Sequence, residues 1–191
     1  MRRTIPLGFV LPALAIGLAA GFLLHPPITS ALRSYRAMQA DRRDMERRLV
    51  GEPVPALPLL DNQMEHRLLD SVTGGDPALI YFWSSRCRYC ENLLEDLPVI
   101  AERFPEVELI GIATDRDPRI AACYLAVNEF DHPDQYYLSP EQRDSSVEDY
   151  SLYIIPTIWA VDIHGVVRNV HRGYRAPAAL HGLVEELSAS P

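Results

Sequence analysis

The 191-residue chain predicts an α/β domain behind an apolar N-terminal segment, and three observations carry that reading. From residue 51 onward strand signals alternate with helix signals, the pattern of a layered sheet with flanking helices. The apolar run Ala78–Trp83 leads almost directly into Cys87-Arg88-Tyr89-Cys90 and a helical stretch. Ahead of both, Ile5–Leu24 carries no charge.

That first segment is rich in Leu, Ala, Gly and Phe, follows Arg2-Arg3, and is long enough for one helix to cross a bilayer. Pro6 and Pro12 weaken the helix without forbidding it. An uncleaved anchor is the reading taken here. Its competitor is a cleaved signal peptide, with Thr29-Ser30-Ala31 as the small-residue site after the helix-breaking Pro26-Pro27. Arg2, Arg3 and the amino terminus favour a cytoplasmic N-terminus, whereas Arg33, Arg36, Arg42, Arg43, Arg47 and Arg48 on the other flank favour the reverse by count.

Residues 31–50 contain no Gly or Pro and space Leu32, Tyr35, Met38, Met45 and Leu49 at near-helical intervals, which predicts an amphipathic linker helix. Its arginines suit either anionic headgroups or a solvated stalk with intrahelical ion pairs. The expected division is therefore 1–30 anchor or signal, 31–50 basic helical linker, 51–191 folded domain. Within that domain Pro55–Leu60 opens the fold, Ala78–Trp83 is a buried strand after the turn Gly74–Pro77, and Cys90–Phe104 is a helix kinked at Pro98. Val107–Ala113 is a second buried strand, and a helix capped by Asp117 with Pro118 in its first turn runs towards Glu129. Gln135–Leu138 is a short strand and Ser139-Pro140-Glu141 a helical turn. Ile158–Val161 and Val166–His171 form a hairpin around Asp162–Gly165, and Ala176–Leu187 is the last helix.

Charge divides sharply along the chain. All 18 basic residues are Arg, which excludes lysine Schiff-base chemistry and a P-loop lysine. Residues 1–50 hold eight Arg against three acids, a net of +5, and residues 51–191 hold ten Arg against 23 acids, a net of −13. So acidic a domain argues against nucleic acid as partner.

Two thiols three positions apart at a helix start share one face of its first turn, where they close and reopen a disulfide with little backbone movement. Zinc would need four ligands, usually as two close pairs, yet Cys123 is the only other cysteine. A c-type haem would need His after Cys90, where Glu91 stands. A purely structural disulfide, or a pair of inert core thiols, is the remaining alternative. The strand before the pair, and Ile155-Pro156-Thr157 before a second apolar strand, argue against it.

Strand, CxxC, helix, then Xaa-Pro-Thr and strand: this order resembles the thioredoxin superfamily. Gly51-Glu52-Pro53-Val54-Pro55-Ala56-Leu57-Pro58-Leu59 is similar to the opening of its TlpA-like (ResA/DsbE-like) domains, the segment 130–150 is similar to their insert, and the turn Asp162–Gly165 also matches, so the resemblance covers residues 51–187. It implies a thioredoxin-like fold with a central mixed sheet flanked by helices, a redox-active Cys87–Cys90 disulfide, and a cis Ile155–Pro156 bond packed against it. The Ile155 backbone would then pair with an extended substrate segment. Cys87 is implied as the attacking thiol and Cys90 as the resolving one. Physical chemistry agrees, because a helix N-terminus and the flanking Arg86 and Arg88 stabilise a thiolate at Cys87. Trp83 would floor the site, although a generic core role serves it equally, and Pro156 has a strand-edge alternative.

From the same resemblance follow an exported domain, single-pass at the bacterial inner membrane with its redox centre in the periplasm. Cysteine-containing exported proteins would be its clients, cytochrome c maturation among its settings, and a membrane redox protein its partner. No cofactor or metal is called for. The chain departs from the pattern at Tyr81, where many thioredoxins keep a buried carboxylate to take the proton of the resolving thiol, and at Arg86, commonly Trp. Glu91 and Glu95 are read as solvated helix residues and Cys123 as a small core residue. Two other function classes stay open: a non-catalytic assembly module of an envelope complex, and Cu(I) handling by the two thiols with His132 or His164.

Overall fold

The computed structural model describes residues 26–73, 75–130, 134–174 and 177–188. The expected membrane span, residues 5–24, lies outside them; among the described residues no helix is long and apolar enough to cross a membrane. The chain divides after Arg43.

Helix α1 (Pro26–Leu49) starts on the two prolines expected to break it. A first turn tolerates proline, because its missing N–H would have no intrahelical acceptor there. In its last turns, which belong to the domain, Met45 and Leu49 are buried. Then follow β1 (Pro58–Leu60), β2 (His66–Leu68), the single turn α2 (Leu69–Val72), β3 (Ala78–Trp83), α3 (Arg88–Arg103) and β4 (Glu108–Ala113). The chain continues through α4 (Pro118–Val127), β5 (Gln135–Leu138), α5 (Arg143–Asp149), β6 (Thr157–Val161), β7 (Val167–Arg172) and α6 (Pro177–Ser188). Sequence reading misses β2 and α2, which are three and four residues long; the helical turn expected at 139–141 is present, closed by the Gln142 N–H on the Ser139 carbonyl at 3.0 Å, and leads into the helix that begins at Arg143. Asp117 does cap α4, accepting from the Arg119 N–H at 3.0 Å, with proline in the first turn. Helix α3 runs on through Pro98.

One mixed sheet has the order β2-β1-β5-β4-β3-β6-β7. β3, β4 and β5 run parallel, while β6 lies antiparallel to β3 and β1 antiparallel to β5. β3 is central and buried along its whole length, as its unbroken apolar run requires. Its side chains alternate. Leu79, Tyr81 and Trp83 pack in one core with Cys90, Leu93, Leu97 and Ile100 of α3 and with Leu180 and Val184 of α6. Ala78, Ile80 and Phe82 enter the opposite core with Met45, Leu69 and Trp159.

Two hairpins share one turn device. Asp162 accepts from the N–H groups of His164 (2.9 Å) and Val166 (3.0 Å) and from Arg168 Nε (2.6 Å); Asp61 accepts likewise from Gln63, Glu65 and Arg67, each at 2.9 Å. Burial is the largest single influence on the Asp162 carboxyl and pushes its pKa up. The bonds from Val166, Arg168 and His164 together outweigh it and hold the pKa below the ordinary carboxylate value. A folded-state pKa below the unfolded one stabilises the fold above the unfolded value, about 3.9 for Asp, and that contribution is lost as the pH falls through the folded value. Asp162→Asn is therefore expected to unfold at lower denaturant than the parent at pH 7. The gap should close in acid; a gap constant from pH 7 to 2 would refute the assignment.

Candidate active site

Topology brings the candidate residues to one end of the sheet. Cys87 follows the carboxyl end of β3, and Thr114–Asp117 follow the carboxyl end of its parallel neighbour β4. Because β6 runs antiparallel to β3, with Phe82 opposite Thr157 and Ala78 opposite Val161, its leading residues Ile155-Pro156 start at that same end. The rims of parallel strands are where α/β sheets commonly build sites.

Cys87 is the N-cap of α3 and forms a disulfide with Cys90, their Cα atoms 5.2 Å apart. The two sulfurs differ in access. Cys87 is partly exposed, whereas Cys90 lies fully buried one turn inside the helix. Cys87 Sγ accepts from the Cys90 N–H at 3.2 Å, so a backbone donor at the positive end of the helix dipole already points at the sulfur that would carry the charge. The same sulfur lies 3.7 Å from the carbonyl oxygen of Ile155. The Ile155–Pro156 bond is cis, and Pro156 is buried. Among the described residues Ile155 makes no hydrogen bond to another backbone group.

The turn ahead of Cys87 is clamped. Asp115, itself buried, accepts from the Ser85 N–H at 3.0 Å and the Ser85 hydroxyl at 2.7 Å, and the Cys87 N–H donates to the Ser84 carbonyl at 3.1 Å. Asp115→Ala leaves a part-buried N–H without its acceptor, which costs about 1–3 kcal/mol. The expected result is a lower denaturant midpoint at unchanged slope; an unchanged midpoint would show that the clamp is dispensable.

Beneath the disulfide a polar row crosses the core. Gln135 Nε2 donates to Tyr81 Oη at 2.5 Å, and Gln135 Oε1 accepts from Trp83 Nε1 at 3.2 Å. All three residues are buried. Burial pushes the Tyr81 phenol well above its ordinary value, so at neutral pH it is a neutral hydrogen-bonding group and not a base. Gly111 stands between the partners in register, opposite Tyr81 on one side and Gln135 on the other; its missing side chain is the space in which phenol and amide meet. Sequence reading misses Gln135, Asp115 and Gly111. An isolated glycine inside an apolar strand was the one local signal.

Several expectations need correction. Trp83 is fully buried and offers no side-chain surface to a visiting polypeptide; it packs in the same core cluster as Cys90. Cys123 is exposed: α4 turns Ala121 and Leu125 inward, and a residue two positions from either lies about 200° round the helix. Glu95 is exposed and Glu91 partly so, in line with the solvated positions expected of them. His132 lies outside the described residues. His164, beyond the Val161 end of β6, is at the opposite end of the sheet from Cys87, and among the described residues no three metal-ligating side chains come together. Arg86 and Arg88 are exposed on either side of Cys87.

A cleft of about 370 Å³ opens beside the disulfide, reaching from Arg86 and Ile155 to Arg116, Ile120, Arg143 and Tyr153.

Among curated proteins the chain is similar to the thiol:disulfide interchange protein DsbE of Pseudomonas fluorescens biotype C, 28% identical over 139 residues, 73% of this chain and 75% of that one. DsbE of Pseudomonas aeruginosa is 29% identical over 137 residues, 71% of this chain and 73% of that one. Among solved structures, the thioredoxin domain of a thiol-disulfide oxidoreductase from Bacteroides vulgatus superposes with a TM-score of 0.60 at 21% identity, covering 72% of this chain and 96% of that domain. No family model matches. The fold is thioredoxin-like.

Proposed function

We propose that this thioredoxin-fold chain, whose sequence relatives are DsbE thiol:disulfide interchange proteins, is a thiol-disulfide oxidoreductase working through Cys87 and Cys90. One observation carries the reading: a partly exposed sulfur at a helix N-terminus, bonded to a fully buried one and facing the Ile155 carbonyl. In the reduced protein the Cys87 thiolate attacks one sulfur of a client disulfide. That bond breaks, a Cys87–client bond forms, and the displaced client sulfur leaves as a thiolate. Cys90 then gives up its proton and attacks Cys87, which closes the internal disulfide and releases the second client thiolate. Two electrons pass to the client, and the reverse sequence oxidises a client dithiol.

The Ile155 backbone serves as the short edge on which an extended client aligns its cysteine, and Arg86 and Arg88 favour the Cys87 thiolate. Clients are cysteine-containing exported proteins, with cytochrome c maturation as one setting. Residues 5–24 tether the domain to the bacterial inner membrane, facing the periplasm, where a membrane redox protein resets the cysteines. Equilibration with glutathione tests the chemistry and its direction: about −120 mV marks an oxidant and about −270 mV a reductant. A pair that never exchanges would return the chain to the assembly-module reading. Labelling of intact cells with an impermeant thiol reagent tests the topology, since a cytoplasmic domain would stay unlabelled.

A further inference from the structure

Five of the ten arginines in residues 51–191, namely Arg86, Arg88, Arg116, Arg119 and Arg143, follow the carboxyl ends of β3, β4 and β5. They gather there although that part of the chain carries a net charge of −13. The acids among them are already engaged. Asp115 holds Ser85, Asp117 is gripped by Arg119 through two bonds of 2.9 Å, and Asp144 is shared between Arg116 at 3.4 Å and Arg143 at 2.5 Å. Arg86 and Arg88 have no ion-pair partner among the described residues. Arg86, Arg116 and Arg143 line the cleft of about 370 Å³ together with Asp115 and Asp117, and of these three arginines Arg86 alone has no ion-pair partner among the described residues; the volume is in the range that encloses a small molecule or a few side chains.

Large apolar side chains are exposed beside these arginines. Tyr89 is 65% exposed, Tyr153 46% and Ile120 44%, and the last two line the cleft. Exposed tyrosine interleaved with arginine is the composition of interface centres.

We propose that this cleft receives an extended polypeptide whose reactive cysteine is flanked by acidic side chains. Its carboxylates meet Arg86, which is unpaired, and Arg116, whose solvent-exposed pair with Asp144 at 3.4 Å a client carboxylate can replace, and its neighbouring apolar side chains rest on Ile120 and Tyr153. The inference rests on the exchange reading above and names the client chemistry that the same site selects. Net charge alone predicts the opposite order, because an acidic protein repels an acidic client at long range.

The test uses the full chain, reduced, with three substrates: hydroxyethyl disulfide, and two synthetic peptides that share one internal disulfide and differ only in acidic or basic flanking residues. The acidic peptide is expected to react faster, by about tenfold at low ionic strength, with the ratio falling towards one near 1 M salt, where screening acts within about 3 Å. The double variant Arg86→Glu/Arg116→Glu is expected to reverse the order. The ratio within one protein cancels any change in Cys87 reactivity, since the same sulfur attacks both peptides. A low-salt ratio of one or below, or a ratio that the double variant leaves unmoved, overturns the inference while exchange with hydroxyethyl disulfide keeps the exchange reading standing. No reaction with any of the three overturns both.

Discussion

Cys87→Ser is expected to abolish exchange, a loss on the order of a thousandfold or more against any disulfide substrate. A serine hydroxyl at neutral pH is almost wholly protonated, and neither the Cys90 N–H at 3.2 Å nor the helix dipole supplies enough stabilisation to ionise it. Cys90→Ser separates the two roles. Its partly exposed partner still attacks, but the buried position can no longer resolve the adduct, so a mixed disulfide with the client should accumulate and appear as a mass increase lost on reduction. If Cys90→Ser alone abolished adduct formation, the attacking sulfur would be the wrong one. If both variants instead kept full turnover, the disulfide would have no part in the chemistry. Loss of stability without any exchange in the parent would favour a structural bridge.

Gly111→Ala is the largest stability effect expected from a single methyl group here. A Cβ at this position would meet Gln135 Nε2 and Oε1, and would lie 2.6 Å from Tyr81 Oη, closer than packed atoms approach. Both side chains are buried, and the Gln135 amide can withdraw only by breaking its hydrogen bonds to Tyr81 and Trp83. Overpacking costs about 1–3 kcal/mol, and forcing apart a buried phenol and amide adds about 1–3 kcal/mol more. A fall of about 3 kcal/mol or more in unfolding free energy is therefore expected from denaturant titration. Trp83 should report it too, since its indole N–H shares Gln135 and its fluorescence would shift. Combining Gly111→Ala with Gln135→Ala removes the contact with the amide and leaves only that with the Tyr81 phenol, so the double variant should fall short of the summed single losses. A single loss under about 0.5 kcal/mol, the range of an inconsequential surface change, would mean that the row is not closely packed.

The motif at residues 87–90 was legible because it is local. A strand, a turn, an N-cap and an amphipathic helix are each written in adjacent residues, and α3 shows it: Cys90, Leu93, Leu94, Leu97 and Ile100 all face the core. The hairpin turn at Asp162 and the cap at Asp117 were legible for the same reason, since an Asp side chain binds backbone two to four residues on. Cys123 was misread because an apolar stretch does not say which way a helix is rotated. Only the packing of Ala121 and Leu125 sets that angle.

The sequence alone thus determined the order of the principal elements, the Cys87–Cys90 pair and its helix-capping position, because these depend on interactions a few residues long. Tertiary structure decided the rest. It set which sulfur is reachable, drew Ile155 to within 3.7 Å of Cys87, and spanned Gly111 with Tyr81 and Gln135. It also gathered arginines from three strand ends around one cleft. Each of these depends on strand order and register, which are fixed by the simultaneous burial of both sheet faces and not by any neighbouring pair of residues.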